Sequence, residues 1–318
     1  MSAVTCVPLF AQTGDGLLIT PQGDAGLPAL HAYLADQQTH LHRLMLEHGA
    51  ILLRGFEVRD AADFHSSVKQ LGARPFEYVG GNSPRTRVAP DVYSSTDYPA
   101  SAAISLHNEM SYLPQWPRRL FFYSQLPAMT GGQTSLANSR AVLNAMPDSV
   151  VQKLRDKGVH YIRHFQPGLL VGKSWQATYQ TEDRDELESI VRAQGSTCTW
   201  KADGALRVST RCDAFASHPE TGAQVWFNQA EQWHPSALPD KLRSLFAARG
   251  MLAHECEFAD GEPMDEQMLA QMRQVINASK LLFDWQKNDV LMLDNLLMMH
   301  GREAFSGSRT TLAYLSST

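Results

Sequence analysis

Between about residues 76 and 137 the chain breaks into short apolar and aromatic runs separated by glycine, proline and serine clusters. That texture marks short strands joined by turns and commits the middle of the chain to an all-β region. Helical spacing dominates before it. Leu27, Leu30, Leu34, Leu41, Leu44 and Met45 recur on one helical face that stops near Gly49. Residues 50–53 then read as a buried strand. Asp60 can cap a helix whose apolar face is Phe64, Val68 and Leu71, closed by Gly72.

After the β region, Asn138 or Ser139 begins a helix that Pro147 interrupts, and a second helix runs through Val151 and Leu154 to Gly158. Residues 160–222 look the least regular, with one acidic helix near residues 182–194. Further helices are expected near residues 238–250 and 263–279. The latter carries Met264, Met268, Met272 and Ile276 one turn apart, a stripe that reads as core packing. Residues 289–293 and 310–315 close the chain as strands. The expected class is mainly β with flanking helices, a sandwich or barrel core with helices packed outside. The expected organisation is a single domain over residues 1–318 with a lid-like insertion at about 160–222.

Composition narrows the functional classes. With 43% apolar and 19% charged residues in 318, the chain has ample material for a core. A net charge of −5 and a pI near 6.2 give no reason to expect nucleic acid or an anionic membrane as partner. No apolar stretch approaches the ~20 residues of a membrane helix. Asp15 and nearby glycines interrupt any signal-peptide pattern, so a cytoplasmic location is expected. The four cysteines are scattered, without a Cys-x-x-Cys pair, which argues against a zinc ribbon or a disulfide framework.

The chemistry concentrates in Ile104-Ser-Leu-His-Asn-Glu-Met-Ser-Tyr112. As a strand, its period of two would put His107 and Glu109 on one face and Leu106, Asn108 and Met110 on the other. A third donor, His300, follows a buried strand and an Asp294-Asn295 turn. Two histidines and one carboxylate on one face of an octahedron suit a non-haem iron(II) oxygenase. One carboxylate leaves iron(II) with a net positive charge, and three coordination positions stay open. Imidazole also suits zinc, so a zinc-dependent hydrolase using the same three residues stays open at this point.

Taken together, His48-Gly-Ala-Ile-Leu-Leu-Arg-Gly-Phe56, Asn82-Ser-Pro-Arg-Thr86, Leu106-His-Asn-Glu-Met-Ser-Tyr112, Gly131-Gly-Gln-Thr-Ser-Leu-Ala-Asn138, Val225-Trp-Phe-Asn228 and Asp294-Asn…His300-Gly-Arg302 stand in a specific order. In these stretches the chain resembles the taurine dioxygenase and clavaminate synthase-like superfamily of 2-oxoglutarate-dependent oxygenases. The branch it looks most like contains the syringomycin-biosynthesis aspartyl hydroxylase. The resemblance implies a double-stranded β-helix (jelly-roll) core, with Fe(II) held by His107, Glu109 and His300 and with 2-oxoglutarate and O2 as co-substrates. It also implies that the Thr134 hydroxyl and the Arg309 guanidinium meet the far carboxylate of 2-oxoglutarate, which a guanidinium fork suits. Related halogenases lack the carboxylate ligand, so Glu109 disfavours halogenation. Ala313 stands where some relatives carry a second arginine for an acidic substrate, and a sulfonate substrate is not expected.

Arg85, Asn228 and Arg302 are candidate substrate-binding residues, with Tyr112 and Trp226 as possible pocket walls. Arg302 could equally brace the fold through a buried ion pair, and Glu231 and His234 have no assigned role. The resemblance implies hydroxylation of an unactivated C–H bond, with desaturation or epoxidation using the same residues. It implies an amino acid or derivative as substrate in specialised-metabolite biosynthesis, free or tethered to a carrier protein. The oligomeric state is not legible.

Overall fold

The computed structural model describes residues 4–167 and 173–318. Its largest sheet has eight strands. Their order is Val4–Pro8, Leu17–Pro21, Ala50–Leu53, Val290–Asp294, Arg119–Leu126, Thr310–Ser316, Val92–Ser94 and Arg87–Ala89. All neighbouring pairs are antiparallel except Leu17–Pro21 with Ala50–Leu53. The central strands are apolar almost without a break because both faces are covered. Alternation sorts their side chains between two cores. Leu52, Leu120, Phe122, Leu291, Leu293 and Leu315 face one core. Ile51, Leu53, Phe121, Tyr123, Val290, Met292 and Tyr314 face the other.

The second core is closed by helices Leu27–Asp36, Gln38–His48 and Ala61–Gln70, through Leu30, Leu34, Leu41, Met45, Phe64 and Val68. The helical spacing from Leu27 to Met45 thus belongs to two helices. The seven-residue step from Leu34 to Leu41 keeps the apolar face in phase across the polar break at Gln37, which hides the joint. Asp60 caps the third helix through the amides of Ala62 and Asp63.

The first core is closed by a four-stranded sheet in the order Leu281–Phe283, Thr134–Asn138, Met298–Arg302 and Ile104–His107. Leu106, Leu136, Met298 and Met299 bring it into the same apolar cluster as the large sheet. Gly301 makes this sheet possible. A Cβ there would lie 2.5 Å from the Ile104 carbonyl oxygen and 2.6 Å from Ser135 Oγ.

A further sheet joins Thr197–Trp200, Leu206–Cys212, Val159–Phe165 and His254–Phe258. With helices Trp175–Tyr179 and Arg184–Ala193, it turns most of the stretch expected to be irregular into ordered elements. Their short length and polar outer faces had obscured the pattern. Residues 168–172 of that stretch lie outside the described residues. Helix Glu266–Ala278 buries Met268, Met272 and Ile276 in the first core, as its stripe requires. No helix among the described residues is long and apolar enough to cross a membrane.

Candidate metal centre

His107, Glu109 and His300 each offer a donor atom, and the three atoms lie within 4.8 Å of one another. His107 ends strand Ile104–His107 and faces His300 in the neighbouring strand. Glu109 arrives differently from the expectation. The strand stops at His107, so Glu109 is not brought in by alternation along an extended segment. It sits in a turn, where Met110 adopts the left-handed φ of 58°. That turn is held by Asn295. The Asn295 side chain accepts from the Glu109 amide at 2.7 Å and donates to the carbonyls of Glu109 at 3.0 Å and Pro117 at 2.8 Å. Asn108 donates back to the Asn295 carbonyl at 2.7 Å.

The donor atoms are presented in a usable form. His107 Nδ1 lies 2.8 Å from the Ser105 carbonyl oxygen, so it carries the proton and leaves the Nε2 lone pair free. Burial, and next the neighbouring His300, push His107 down to about 4, which keeps the imidazole neutral. His107 Nε2 and His300 Nε2 stand 4.0 and 3.7 Å from Glu109 Oε2. His300 Nδ1 is buried with no acceptor, so packing holds this ring, against His107 at 4.3 Å and Phe122 at 5.3 Å between ring centroids. Burial by itself would raise the Glu109 carboxyl. Arg85, ahead of the two histidines, overcomes it and holds the group well below the usual carboxylate range. The Arg85 Nη2–Glu109 Oε2 contact is 2.8 Å.

The cluster opens into a cavity of about 750 Å³. Thr134, Arg309, Arg85, Arg302 and Tyr112 all line it. Thr134 Oγ accepts the Trp285 indole N–H at 2.9 Å. Its own hydroxyl proton is therefore free for a ligand, since a hydroxyl has only one proton to give. Arg309 is pushed down to about 10 by burial and then by Arg302. Arg302 borders the cavity but spends its guanidinium on the carbonyls of Tyr98, Pro99 and Ala102, at 2.8–3.3 Å. It braces that loop through neutral acceptors, not through the ion pair considered for it.

Two candidates do not reach the cavity. Asn228 is buried, donating to the Ala214 carbonyl at 2.9 Å and accepting from the Ala230 amide at 3.2 Å, so it holds the segment entering a short helix. Trp226 is fully buried in the first core. Their Trp-Phe-Asn run alternates between core and backbone contacts, and a motif reading cannot tell such contacts from a pocket wall. Conversely, Glu231 lines the cavity although no role was expected for it. Burial, only partly offset by Gln232 and Arg273, pushes it up to about 7. Asn295, Trp285 and Lys173 were also missed. Only Asn295 had a signal, its place in the Asp-Asn stretch, and that stretch read as a plain turn.

Residues 12–315 match the profile of the family described as "Taurine catabolism dioxygenase TauD, TfdA family". The dapdiamide synthesis protein DdaC of Enterobacter agglomerans is 32% identical over 272 residues, covering 85% of this chain and 82% of that protein. A clavaminate synthase-like protein of Arabidopsis thaliana is 30% identical over 297 residues, covering 91% and 88%. Among solved structures, PvcB, described as an Fe, alpha-ketoglutarate dependent oxygenase from an isonitrile synthetic pathway, superposes with a TM-score of 0.54 at 16% identity. The match covers 99% of this chain and 94% of that one, and it speaks to the fold.

Proposed function

The chain belongs to the TauD/TfdA family of dioxygenases, and on that premise we propose that it is an iron(II)- and 2-oxoglutarate-dependent oxygenase whose metal ligands are His107, Glu109 and His300. The observation that carries this reading is the convergence of three donor atoms within 4.8 Å at the wall of a large cavity. The donor set fits the metal. Two neutral imidazoles and one carboxylate leave iron(II) a net positive charge and open positions. When bound, iron(II) with 2-oxoglutarate and oxygen supplies the oxidation of an unactivated C–H bond, releasing succinate and carbon dioxide.

The residues of this chain supply position and exclusion of water. Arg309 and the free proton of Thr134 would hold the far carboxylate of 2-oxoglutarate, with Trp285 keeping that proton aimed outward. Asn295 fixes the backbone of Glu109 while Arg85 keeps its side chain ionised. Phe122, packed on His300, screens one side from water. The eight-stranded and four-stranded sheets, sharing one apolar core, are read as the two layers of a double-stranded β-helix. The whole chain is read as one domain, with the sheet and helices after Val159 covering the cavity as an ordered lid.

Hydroxylation of an amino acid or amino-acid derivative is the reaction we assign. The biosynthetic names of DdaC and PvcB support a place in specialised metabolism. Anaerobic titration of the metal-free protein with iron(II) and 2-oxoglutarate tests the centre. A weak visible charge-transfer band is expected when iron(II) and the keto acid are bound together. Metal binding without that band would overturn the co-substrate assignment and favour a zinc-dependent hydrolase.

A further inference from the structure

Five cationic side chains and two carboxylates, Glu109 and Glu231, line the cavity. Bound iron(II) and the 2-oxoglutarate dianion cancel one another, so the surplus of positive charge persists in the loaded protein. Three of the five cations are accounted for. Arg302 braces the loop at residues 98–102. Arg273 is engaged on the Glu231 carbonyl and Ser236 Oγ. Arg309 belongs to the 2-oxoglutarate end. Lys173 remains, together with Arg85, which gives only Nη2 to Glu109.

These two are held beside one another by Tyr78. Arg85 Cζ lies 4.9 Å and Lys173 Nζ 5.8 Å from the centroid of its ring. The loop through Gly81 wraps tightly around that ring, since a Cβ on Gly81 would fall 2.1 Å from a Tyr78 ring atom. This close approach carries the Gly81 carbonyl to Lys173 Nζ, at 3.2 Å. Arg85 gives Nη2 to Glu109, but its Nε and Nη1 are buried without an acceptor. Among the described residues no carboxylate pairs with Lys173. Arg163, buried behind Tyr112 and Trp233 at 4.8 and 5.2 Å, adds a third positive charge with Nη2 unpartnered. Burial, then Arg163 and Arg85, push Lys173 down to about 8. The Arg85 side chain is buried and Lys173 half-buried, and Glu109 is the one carboxylate paired with either of them among the described residues, so a second anion would relieve their mutual repulsion.

We propose that Arg85 and Lys173 form the receptor for a carboxylate of the oxidised substrate, so that this protein acts on carboxylate-bearing molecules in preference to their neutral amides. The proposal rests on the metal and co-substrate reading above and deepens it. Arg85 contributes the charge of a guanidinium that lines the cavity, and Lys173 contributes the protons its ammonium does not give to Gly81.

The test is thermal unfolding of the protein loaded with redox-inert zinc(II) and saturating 2-oxoglutarate. The probes are the common amino acids and their N-acetyl derivatives, each paired with the carboxamide of the same skeleton. At least one carboxylate is expected to raise Tm by about 2–4 °C at saturation, with its carboxamide inactive. Lys173→Met should keep the shift produced by zinc(II) with 2-oxoglutarate but weaken the probe about tenfold, and Lys173→Arg should restore it. Equal effects of acid and amide, an undiminished probe in Lys173→Met, or no active carboxylate would each overturn the proposal. If zinc(II) with 2-oxoglutarate fails to shift the wild type, the metal-centre reading falls first and this one with it.

Discussion

Asn295 joins the strand that ends at Asp294 to the turn that carries Glu109, and its amide satisfies both backbone groups of Glu109. Cutting it back in Asn295→Ala strands a buried amide and two buried carbonyls. The expected cost is about 2–4 kcal/mol of stability, read from urea midpoints, with metal affinity down about 10–100-fold in a competition titration. Trp285 acts on one proton instead of a loop. Trp285→Phe keeps the packing on Phe283 but removes the donor to Thr134. The Thr134 hydroxyl is then free to turn away from the cavity. Calorimetric titration should show 2-oxoglutarate binding about tenfold weaker with metal affinity unchanged.

At the scale of elements, helix Glu266–Ala278 separates capping from packing. Asp265 caps it through the amides of Gln267 and Met268 on an exposed turn. Asp265→Ala should cost about 1 kcal/mol. Met272, fully buried in the first core, is a different case. Met272→Ala should cost about 2–5 kcal/mol, because the neighbouring side chains cannot close the space. Denaturant melts of the two variants should therefore rank them clearly, and equal losses would mean that the helix is held by its end and not by its stripe.

Across the whole molecule, buried titratable groups couple stability to pH, and they oppose one another. His107 and His254 are depressed from 6.5 to about 4 and about 3, chiefly by burial. They stay neutral in the folded metal-free protein while the unfolded chain takes up protons, so their contribution is lost as pH falls below 6.5. Glu231 runs the other way. Raised from 4.5 to about 7, it binds its proton in the folded state first, and that contribution grows as pH falls from 7 to 4.5. Glu231→Gln removes the opposing contribution. The metal-free variant should lose stability more steeply than wild type between pH 6.5 and 4.5, as read from urea midpoints across that range. A slope equal to that of the wild type would mean that Glu231 stays ionised in its buried position.

What the sequence determined by itself is local or periodic. The cap at Asp60 follows from a side-chain oxygen one turn from free amides, whereas the helix start left open between Asn138 and Ser139 is capped by Asn138. The methionine stripe and the apolar central strands follow from helical and strand periods. The choice of His107, Glu109 and His300 as candidate donors rests on residue type together with the family resemblance of the stretches around them, because a His-x-Glu pair alone is common. Tertiary structure decided how they meet. Glu109 turns inward because a side chain 186 positions away grips its backbone, not because a strand alternates. Asn228 and Arg302 carry the same polar groups as pocket residues, yet neighbouring carbonyls distant in sequence engage them first. Lys173 joins Arg85 only because a ring and a glycine bring two remote loops together. Local hydrogen bonds and periodicity are settled within a turn or two of chain, whereas competition for a buried polar group is settled by whichever partner folding brings nearest.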